Sequence, residues 1–526
     1  MTYGKAFTGT RQNSRVSKNE PGTQLMTRRL DRTSFARLLL ATLLGIPAAA
    51  LGEQHEGGAG AEEFCLQGEF NLAARLQGLD PEEDSFYPVR FCVTTAPDTP
   101  NVLFVGSGYS NPDMQGRFAV RYEPPGRVRI IGEEGEGDTL FEGADSAAEA
   151  RRNHRIDPKR LLQEIEDNPG WVAANQEDDW LQLRYPEEST PIRARIVDQR
   201  LLTLETWADL PLRGRVPVRW DWRWPEAGAS GVELQWVVDG HVMLRARGSW
   251  RAADRASLLE DRSTPQSRVV PGENWPARVG MDSEQLAPGT WWIRGVRTGF
   301  NHLVIETRAG LVVADAPAGW VELQQIPPAD LVPGLGISGL SERFVDYLAE
   351  AFPETPVRAV VLTHAHDDHA GGARAFAAAG AAIYAPTRVA GFLERSLNRP
   401  EMPPDRLSAS GRDVRVLPVE GRLLLEDPVR PVELIAIGPG PHVNAALGVW
   451  VPSTGFFFQS DLLVPRSESP EPRADRATTE CWFARWAAGA LPADATVLNS
   501  HSAVRLPASL LRAYPDSAPC AERGTG

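Results

Sequence analysis

Residues 363–372 read THAHDDHAGG, and this stretch decides the fold that we expect. The chain has nine histidines, and three of them lie in these ten residues. Residues 358–362 come directly before the stretch and are predicted to form a strand. Side chains two apart in an extended chain face the same way, so His364 and His366 can bind one ion together.

The second half of the stretch can serve another ion. Asp368 and His369 follow where the chain turns toward the next predicted helix, and they can bind a second ion beside the first. The Gly371-Gly372 pair permits a tight turn there. Asp367 is expected to face solvent.

Three more candidate ligands follow later in the chain, each directly after a predicted strand. They are His442 after 432–437, Asp461 after 456–458 and His501 after 495–498. Ligands in layered α/β proteins collect at the carboxyl ends of strands, so we expect all of these side chains at one edge of the sheets.

This set consists of five histidines and two aspartates, which offer only nitrogen and oxygen. Imidazole with carboxylate suits zinc, iron or manganese, and seven ligands suit two ions that share a bridging carboxylate and a bridging water. Without a metal, such a cluster would carry desolvation and charge costs that nothing offsets.

The stretch resembles the HxHxDH signature of the metallo-β-lactamase superfamily. Residues 290–317 look like the opening strand pair of that family, which ends in an Asp-Ala turn. Gln459-Ser460-Asp461 is similar to the late Gly-Asp of glyoxalase-II-like hydrolases, with Ser460 in place of the usual glycine. The resemblance spans about 285–515.

The resemblance implies an αββα sandwich with two metal ions, two zinc ions in the first instance, at one edge. It assigns the ligands to two ions, with a bridge between them: His364, His366 and His442 for the first ion, Asp368, His369 and His501 for the second, and Asp461 for the bridge. True β-lactamases usually have Cys or Ser at the position of Asp461, so the resemblance argues against that activity.

The whole chain is predicted to be α+β, with a β-rich N-terminal domain of unknown role at 53–280 and the metallo-β-lactamase-like domain at 281–526. Alternating apolar residues at 220–224 and 232–238 predict strands, and Asp157-Pro158 predicts the start of a helix. The Trp residues of those strands are interpreted as core, with binding of a sugar or another flat ligand as the alternative. Residues 262–287 are interpreted as a linker.

Residues 1–52 are predicted to be a leader with a secretory signal. Arg28, Arg29 and Arg32 precede the apolar run 38–46, and translation starting at Met26 would give the signal its usual layout. The mature protein would then be periplasmic or secreted, with no stable membrane span. Four cysteines fit export, and Cys65 with Cys92 and Cys481 with Cys520 are one of three ways to pair them.

The net charge of −14 over 526 residues argues against a nucleic-acid partner, because phosphate binding needs a positive surface. We therefore expect a small-molecule substrate, and the sequence leaves the oligomeric state open.

The function predicted from these features is an exported binuclear metal-dependent hydrolase. Metal-bound hydroxide, oriented by Asp368, would attack an ester, thioester, lactone or amide carbonyl. Two alternatives stay open at this point: a mononuclear iron dioxygenase of the persulfide type, and a binding protein that metals only stabilise. A nuclease is disfavoured by the acidic charge.

Other polar residues are weighed more briefly. Asp315 is interpreted either as a group that orients a metal-binding histidine or as a turn residue. Arg466 and Arg473 lie on loops where an anionic substrate could meet them, but solvated arginines are the simpler interpretation. No role is assigned to the remaining histidines, which are His55, His154, His241 and His302.

Overall fold

The computed structural model describes the chain in segments. They are 62–71, 86–94, 101–102, 119–123, 127–131, 139–142, 156–173, 179–184, 192–225, 231–252, 268–271, 281–296, 300–318, 336–465, 467–468, 471–472, 476–517 and 520. The predicted leader, His55, His154, Arg466 and Arg473 lie outside the described residues. Within the described residues, no helix has both the length and the apolar character that a bilayer crossing requires.

The N-terminal half is rich in strands, as the sequence predicts. Its larger sheet has eight strands in the order β2-β1-β12-β11-β10-β9-β8-β7. These strands are β1 (Glu62–Asn71), β2 (Phe86–Thr94), β7 (Trp180–Leu183), β8 (Ile192–Val197), β9 (Arg200–Leu210), β10 (Gly214–Arg223), β11 (Val232–Val238) and β12 (His241–Ala252). A second sheet contains β3 (Asn101–Val102), β4 (Ala119–Glu123), β5 (Arg127–Ile131), β6 (Thr139–Glu142) and β13 (Arg268–Pro271).

One face of the eight-stranded sheet is aromatic core. Trp220 and Trp236 are cross-strand partners, their rings stack at 6.3 Å between centroids, and each is 1% exposed. The interpretation of these tryptophans as core is therefore confirmed, because buried rings cannot receive a ligand. Helix α1 (Pro158–Asp167) begins where predicted: the Asp157 carboxylate accepts hydrogen bonds from the Lys159 and Arg160 amides, which caps the helix.

The C-terminal half contains two further sheets. The seven-stranded sheet runs β14 (Asp282–Ala287), β15 (Thr290–Arg294), β16 (Asn301–Thr307), β17 (Gly310–Ala314), β18 (Val357–Val361), β19 (Ala382–Pro386) and β20 (Val416–Val419). The six-stranded sheet runs β21 (Arg422–Leu425), β22 (Val432–Ile437), β23 (Ala446–Val451), β24 (Phe456–Phe458), β25 (Thr496–Leu498) and β26 (Leu506–Pro507). The described strands therefore change sheet between β13 and β14, close to the predicted domain boundary.

Helices cover the outer face of each C-terminal sheet. They are α2 (Gly336–Ala351), α3 (Asp367–Ala370), α4 (Ala373–Ala378), α5 (Thr387–Leu397), α6 (Arg406–Ser410), α7 (Ala477–Ala490) and α8 (Ala508–Leu511). Phe344 and Phe376 pack with Ile293 of β15 on one side, and Phe483 packs with Phe457 of β24 on the other.

The two sheets pack on each other through a third apolar cluster. Trp292 belongs to this inner cluster while its neighbour Ile293 belongs to the outer one, because successive strand residues face opposite sides of a sheet. Phe458 of the second sheet meets Trp292 edge-on, at 6.1 Å between ring centroids. Helices, sheet, sheet and helices thus form four layers, and the predicted αββα sandwich is confirmed.

One boundary prediction is wrong. The linker interpretation of 262–287 fails at β13 and β14, which are paired strands. Helix α2 starts at Gly336, because the buried side chains of Ile337 and Leu340 outweigh the poor helix propensity of glycine. A disulfide joins Cys481 to Cys520, and Cys65, which is also disulfide-bonded, lies opposite Cys92 in the β1–β2 register.

Candidate metal centre

The HxHxDH stretch lies where β18 leaves the seven-stranded sheet. His364 and His366 follow the strand in non-helical backbone, and His366 is the residue that precedes α3, with φ −64° and ψ 146°. Asp368 and His369 lie within α3, a single turn of helix. The change from extended to helical backbone therefore divides the motif into two pairs of side chains.

The first group of candidate ligands contains His364, His366, His442 and Asp461. Each offers one ligand atom, and these atoms all lie within 4.8 Å of one another. His364 Nε2 is 2.8 Å from His366 Nδ1. His442 arrives from the loop after β22 and Asp461 from the loop after β24, so three segments meet here.

The second group contains Asp368, His369 and His501, whose ligand atoms also lie within 4.8 Å of one another. His369 Nε2 lies 3.5 Å from Asp368 Oδ2. His501 follows β25, and Phe300 packs against its ring at 4.4 Å between centroids. The structure thus brings together all seven side chains that the sequence predicts, and their binding of metal stays a prediction.

Asp461, a member of the first group, also lies beside the second group. Its Oδ2 is 3.4 Å from His442 Nε2 in the first group. Its Oδ1 is 2.7 Å from His501 Nε2 and 3.4 Å from His369 Nε2 in the second group. A carboxylate with one oxygen toward each group has the geometry of a bridging ligand.

Residues 334–501 match the family model described as the metallo-beta-lactamase superfamily. This part of the chain belongs to that superfamily. The match covers helix α2 through His501 and therefore all seven candidate ligands. Metal binding is a property of this fold, and the two groups of His and Asp are where this metallo-beta-lactamase domain can hold ions.

Several solved structures are similar to part of the chain. A metallo-beta-lactamase from Pontibacter korlensis is 15% identical with a TM-score of 0.31, over 44% of this chain and 96% of that one. A metallo-beta-lactamase from Hirschia baltica is 19% identical with a TM-score of 0.30, over 44% and 95%. FIM-1 from Pseudomonas aeruginosa, solved in a mono-zinc form, is 18% identical with a TM-score of 0.31, over 47% and 97%. No curated protein matches the chain.

Asp315, at the end of β17, is connected to histidines of both groups. His369 Nδ1 lies 3.0 Å from Asp315 Oδ2, which directs the opposite ring atom, Nε2, toward Asp461. On the other side, Thr363 donates from its amide and its hydroxyl to Asp315 Oδ1, each at 2.8 Å. The Thr363 hydroxyl is 3.0 Å from His364 Nδ1, so the His364 ring is fixed in the same way. Asp315 also has φ +67°, so it is a turn residue that contacts His369, and its orienting of a metal-binding histidine stays a prediction.

Two serines that the sequence interpretation missed complete this network. Ser460 donates to Asp315 Oδ2 at 3.0 Å and lies 3.0 Å from the Ser500 hydroxyl. Ser460 has φ +65°, a left-handed backbone that explains why glycine is usual at this position. The departure from the family pattern was visible in the sequence, but the contacts of its hydroxyl were not.

The pKa values of three buried histidines are shifted in opposite directions. Burial holds the pKa of His364 and His366 well below the usual range, and neighbouring histidines lower it further. Burial also opposes charge on His369, yet Asp461, Asp368 and Asp315 outweigh it and raise its pKa well above the usual range. Burial likewise opposes charge on Asp461, but His369 and His442 hold its pKa well below the usual range.

The donors fit a metal pair. His369 is fully buried, and among the described residues its Nε2 atom has no hydrogen-bond partner although it lies between two carboxylates. A buried polar atom in that position needs a partner, and a divalent cation supplies one while neutralising the carboxylates. Nitrogen and oxygen donors without thiolate match zinc, iron or manganese.

The structure also describes Asp367 and two histidines to which the sequence assigns no role. The prediction that Asp367 faces solvent is wrong: the residue is 7% exposed, because α3 turns back and its backbone oxygen accepts from the Ala318 and Gly371 amides. His302, to which no role was assigned, is fully buried beside Phe344, and its Nδ1 donates to the Ala314 oxygen at 3.0 Å. His241 begins β12, away from the motif in sequence.

Proposed function

We propose that this chain is a binuclear metal-dependent hydrolase that cleaves an ester, thioester, lactone or amide. The observation that carries the proposal is the position of Asp461, whose two oxygens face His442 on one side and His369 and His501 on the other. A mononuclear centre would need only the first group. The second group, with its own carboxylate and two histidines, favours a second ion.

Membership of residues 334–501 in the metallo-beta-lactamase superfamily supports metal chemistry at this edge. Two divalent ions, when bound, supply a water molecule of lowered pKa and an electrophilic contact for the substrate's carbonyl oxygen. No serine or cysteine nucleophile is needed for this chemistry.

The side chains of the centre then have distinct roles. His364, His366 and His442 would hold the first ion, while Asp368, His369 and His501 would hold the second. Their rings are oriented for that purpose, as with the hydrogen bond from His369 to Asp315. Neutral imidazole is the metal-binding form.

Asp368 is the carboxylate that we assign to catalysis. Its side chain is 20% exposed, whereas that of Asp461 is 8% exposed. Asp368 can therefore reach the attacking water from the open side, orient it and accept its proton, while Asp461 stays between the two groups.

We also propose that the protein acts outside the cytoplasm on a small molecule. The Cys481–Cys520 disulfide supports this location, because structural disulfides persist in oxidising compartments. The net charge of −14 supports a partner other than nucleic acid.

The test is elemental analysis of the purified protein together with assays on ester, thioester, lactone and amide substrates. We expect about two zinc ions per chain and hydrolysis that a chelator abolishes and added zinc restores. His366→Ala and Asp461→Asn should lose at least about a hundredfold in activity, since each removes a ligand. Asp413→Asn, at an exposed position, is the matched control and should keep full activity.

Two results would contradict the proposal. Full activity of the His366→Ala variant would show that the centre does not perform the reaction. About one iron per chain, with oxygen uptake on a thiol persulfide, would instead assign a mononuclear dioxygenase.

A further inference from the structure

The turn between β9 and β10 leaves the eight-stranded sheet and enters the metallo-beta-lactamase domain. Leu212, at the tip of this turn, is 1% exposed. It belongs to the same buried cluster as Ala316, Ala365 and Ala370, which flank the metal centre along the chain. One residue of the N-terminal half is therefore part of the C-terminal core.

Polar contacts fix the turn in this position. The Arg215 amide donates to the Glu401 oxygen at 2.7 Å. Asp239, at the neighbouring turn between β11 and β12, accepts from Arg399 at 2.7 Å and lies 3.7 Å from Arg213. Two adjacent turns of the N-terminal sheet thus hold the loop that follows helix α5.

Pro211 brings the same turn to the metal motif. A side-chain carbon added to Gly371 would lie 2.9 Å from the Pro211 Cβ, 2.7 Å from the Ala318 Cβ and 2.5 Å from the Asp367 oxygen. Gly371 ends the helical turn that carries Asp368 and His369. The space behind that turn is therefore closed by Pro211 on one side and Ala318 on the other.

The backbone conformation of Leu212 indicates that contacts with the surrounding core hold this residue in place. Its φ is +61°, in the left-handed region where a residue with a branched side chain is strained. Strained backbone persists only where surrounding contacts determine it, and here the contacts are those of the C-terminal core.

We propose that the β9–β10 turn positions the second group of metal ligands, with Leu212 and Pro211 as positioning residues. The inference rests on the proposed two-ion centre and gives the N-terminal β-rich half a role in it. The turn supports α3 from behind, so that Asp368 and His369 stay in place to share an ion with His501. The first group, whose His364 and His366 precede α3, depends less on this support.

The experiment compares Leu212→Ala with Leu204→Ala. Leu204 is a fully buried leucine of β9 that stays within the N-terminal half, so it controls for general loss of packing. Both variants and the wild type are titrated with a chelator, and amide hydrogen exchange is followed by mass spectrometry. We expect Leu212→Ala to release one of two ions at a tenfold lower chelator concentration, while Leu204→Ala retains both.

Amide hydrogen exchange of the metal-free protein reports on the helical turn α3 independently of ion binding. The amides of His369, Ala370, Gly371 and Gly372 are all hydrogen-bonded to backbone oxygens. In the metal-free protein they should exchange at least tenfold faster in Leu212→Ala than in Leu204→Ala. Equal exchange and equal ion release in the two variants would overturn the inference.

A milder variant covers the case in which Leu212→Ala fails to fold. Pro211→Gly removes the Cβ that lies behind Gly371 and leaves Leu212 in the core, and it should show the same selective effects more weakly. A wild type that binds no ions would instead contradict the proposed function. The exchange comparison would still decide whether the β9–β10 turn positions helix α3.

Discussion

The Nδ1 atom of His369 lies 3.0 Å from Oδ2 of Asp315, and both side chains are completely buried. This pair connects a strand end of the seven-stranded sheet to the helical turn that carries the second group of ligands. Because the ring donates from Nδ1, its Nε2 atom is turned toward Asp368 and Asp461.

We expect Asp315→Asn to weaken retention of the second ion by about 10- to 100-fold, because an amide cannot accept from His369 and Thr363 as a carboxylate does. Competition with a chelator of known affinity measures the change. Asp413→Asn should match the wild type. Equal retention in the two variants would show that Asp315 does not orient His369.

Ser460 allows backbone strain and hydrogen bonding to be separated. Ser460→Gly relieves the left-handed backbone at φ +65°, worth about 1 kcal/mol, but it removes a hydroxyl that contacts Asp315 and Ser500. We expect the free energy of unfolding to change by less than about 1 kcal/mol while ion retention falls several-fold. Ser460→Ala loses the hydroxyl and keeps the strain, so it should be less stable than Ser460→Gly in a denaturant titration. The reverse order would be inconsistent with this account.

His302 should make the metal-free protein sensitive to mild acid. Burial lowers its pKa from 6.5 to about 4. Because the folded-state value lies below the unfolded one, the neutral ring contributes stability that is complete above pH 6.5 and is lost as the pH falls toward 4.

The loss attributable to His302 is about 3 kcal/mol across that interval. His302→Gln cannot titrate, so its free energy of unfolding should decline less steeply between these pH values. Denaturant unfolding at several pH values gives both slopes, and parallel curves would contradict the prediction.

The Cys481–Cys520 disulfide closes a loop with a sequence separation of 39 and joins α7 to the C-terminal segment. The chain-entropy relation gives about 4 kcal/mol for a loop of this length. Replacing both cysteines by alanine should lower the free energy of unfolding by about that amount, and a reducing agent should then act only on the disulfide of Cys65. An unchanged stability would mean that the bond does not constrain the unfolded chain.

The seven candidate ligands could be predicted because their signal is local. Alternation along β18 fixes which way His364 and His366 face, and strand ends locate His442, Asp461 and His501. The layered fold follows from the same alternation, since each strand from β15 to β20 presents residues to two clusters.

The supporting contacts were not predictable in this way, because they join segments that are distant in sequence. Burial of Asp367 depends on the loop at Ala318. The contacts of Asp315 depend on the positions of Ser460 and His369 in the fold. Periodicity gives no information about contacts between distant segments. Leu212 likewise has no sequence feature that marks it as part of the C-terminal core.

The β9–β10 turn also bears on how the protein is made. Leu212 leaves the ribosome well before the HxHxDH stretch, so the eight-stranded sheet can form first and present its turn to the segment that follows. A fragment that begins at residue 281 would then lack a leucine from its core and the contact behind Gly371. The N-terminal half would in this sense act as an intramolecular chaperone that remains in place after folding.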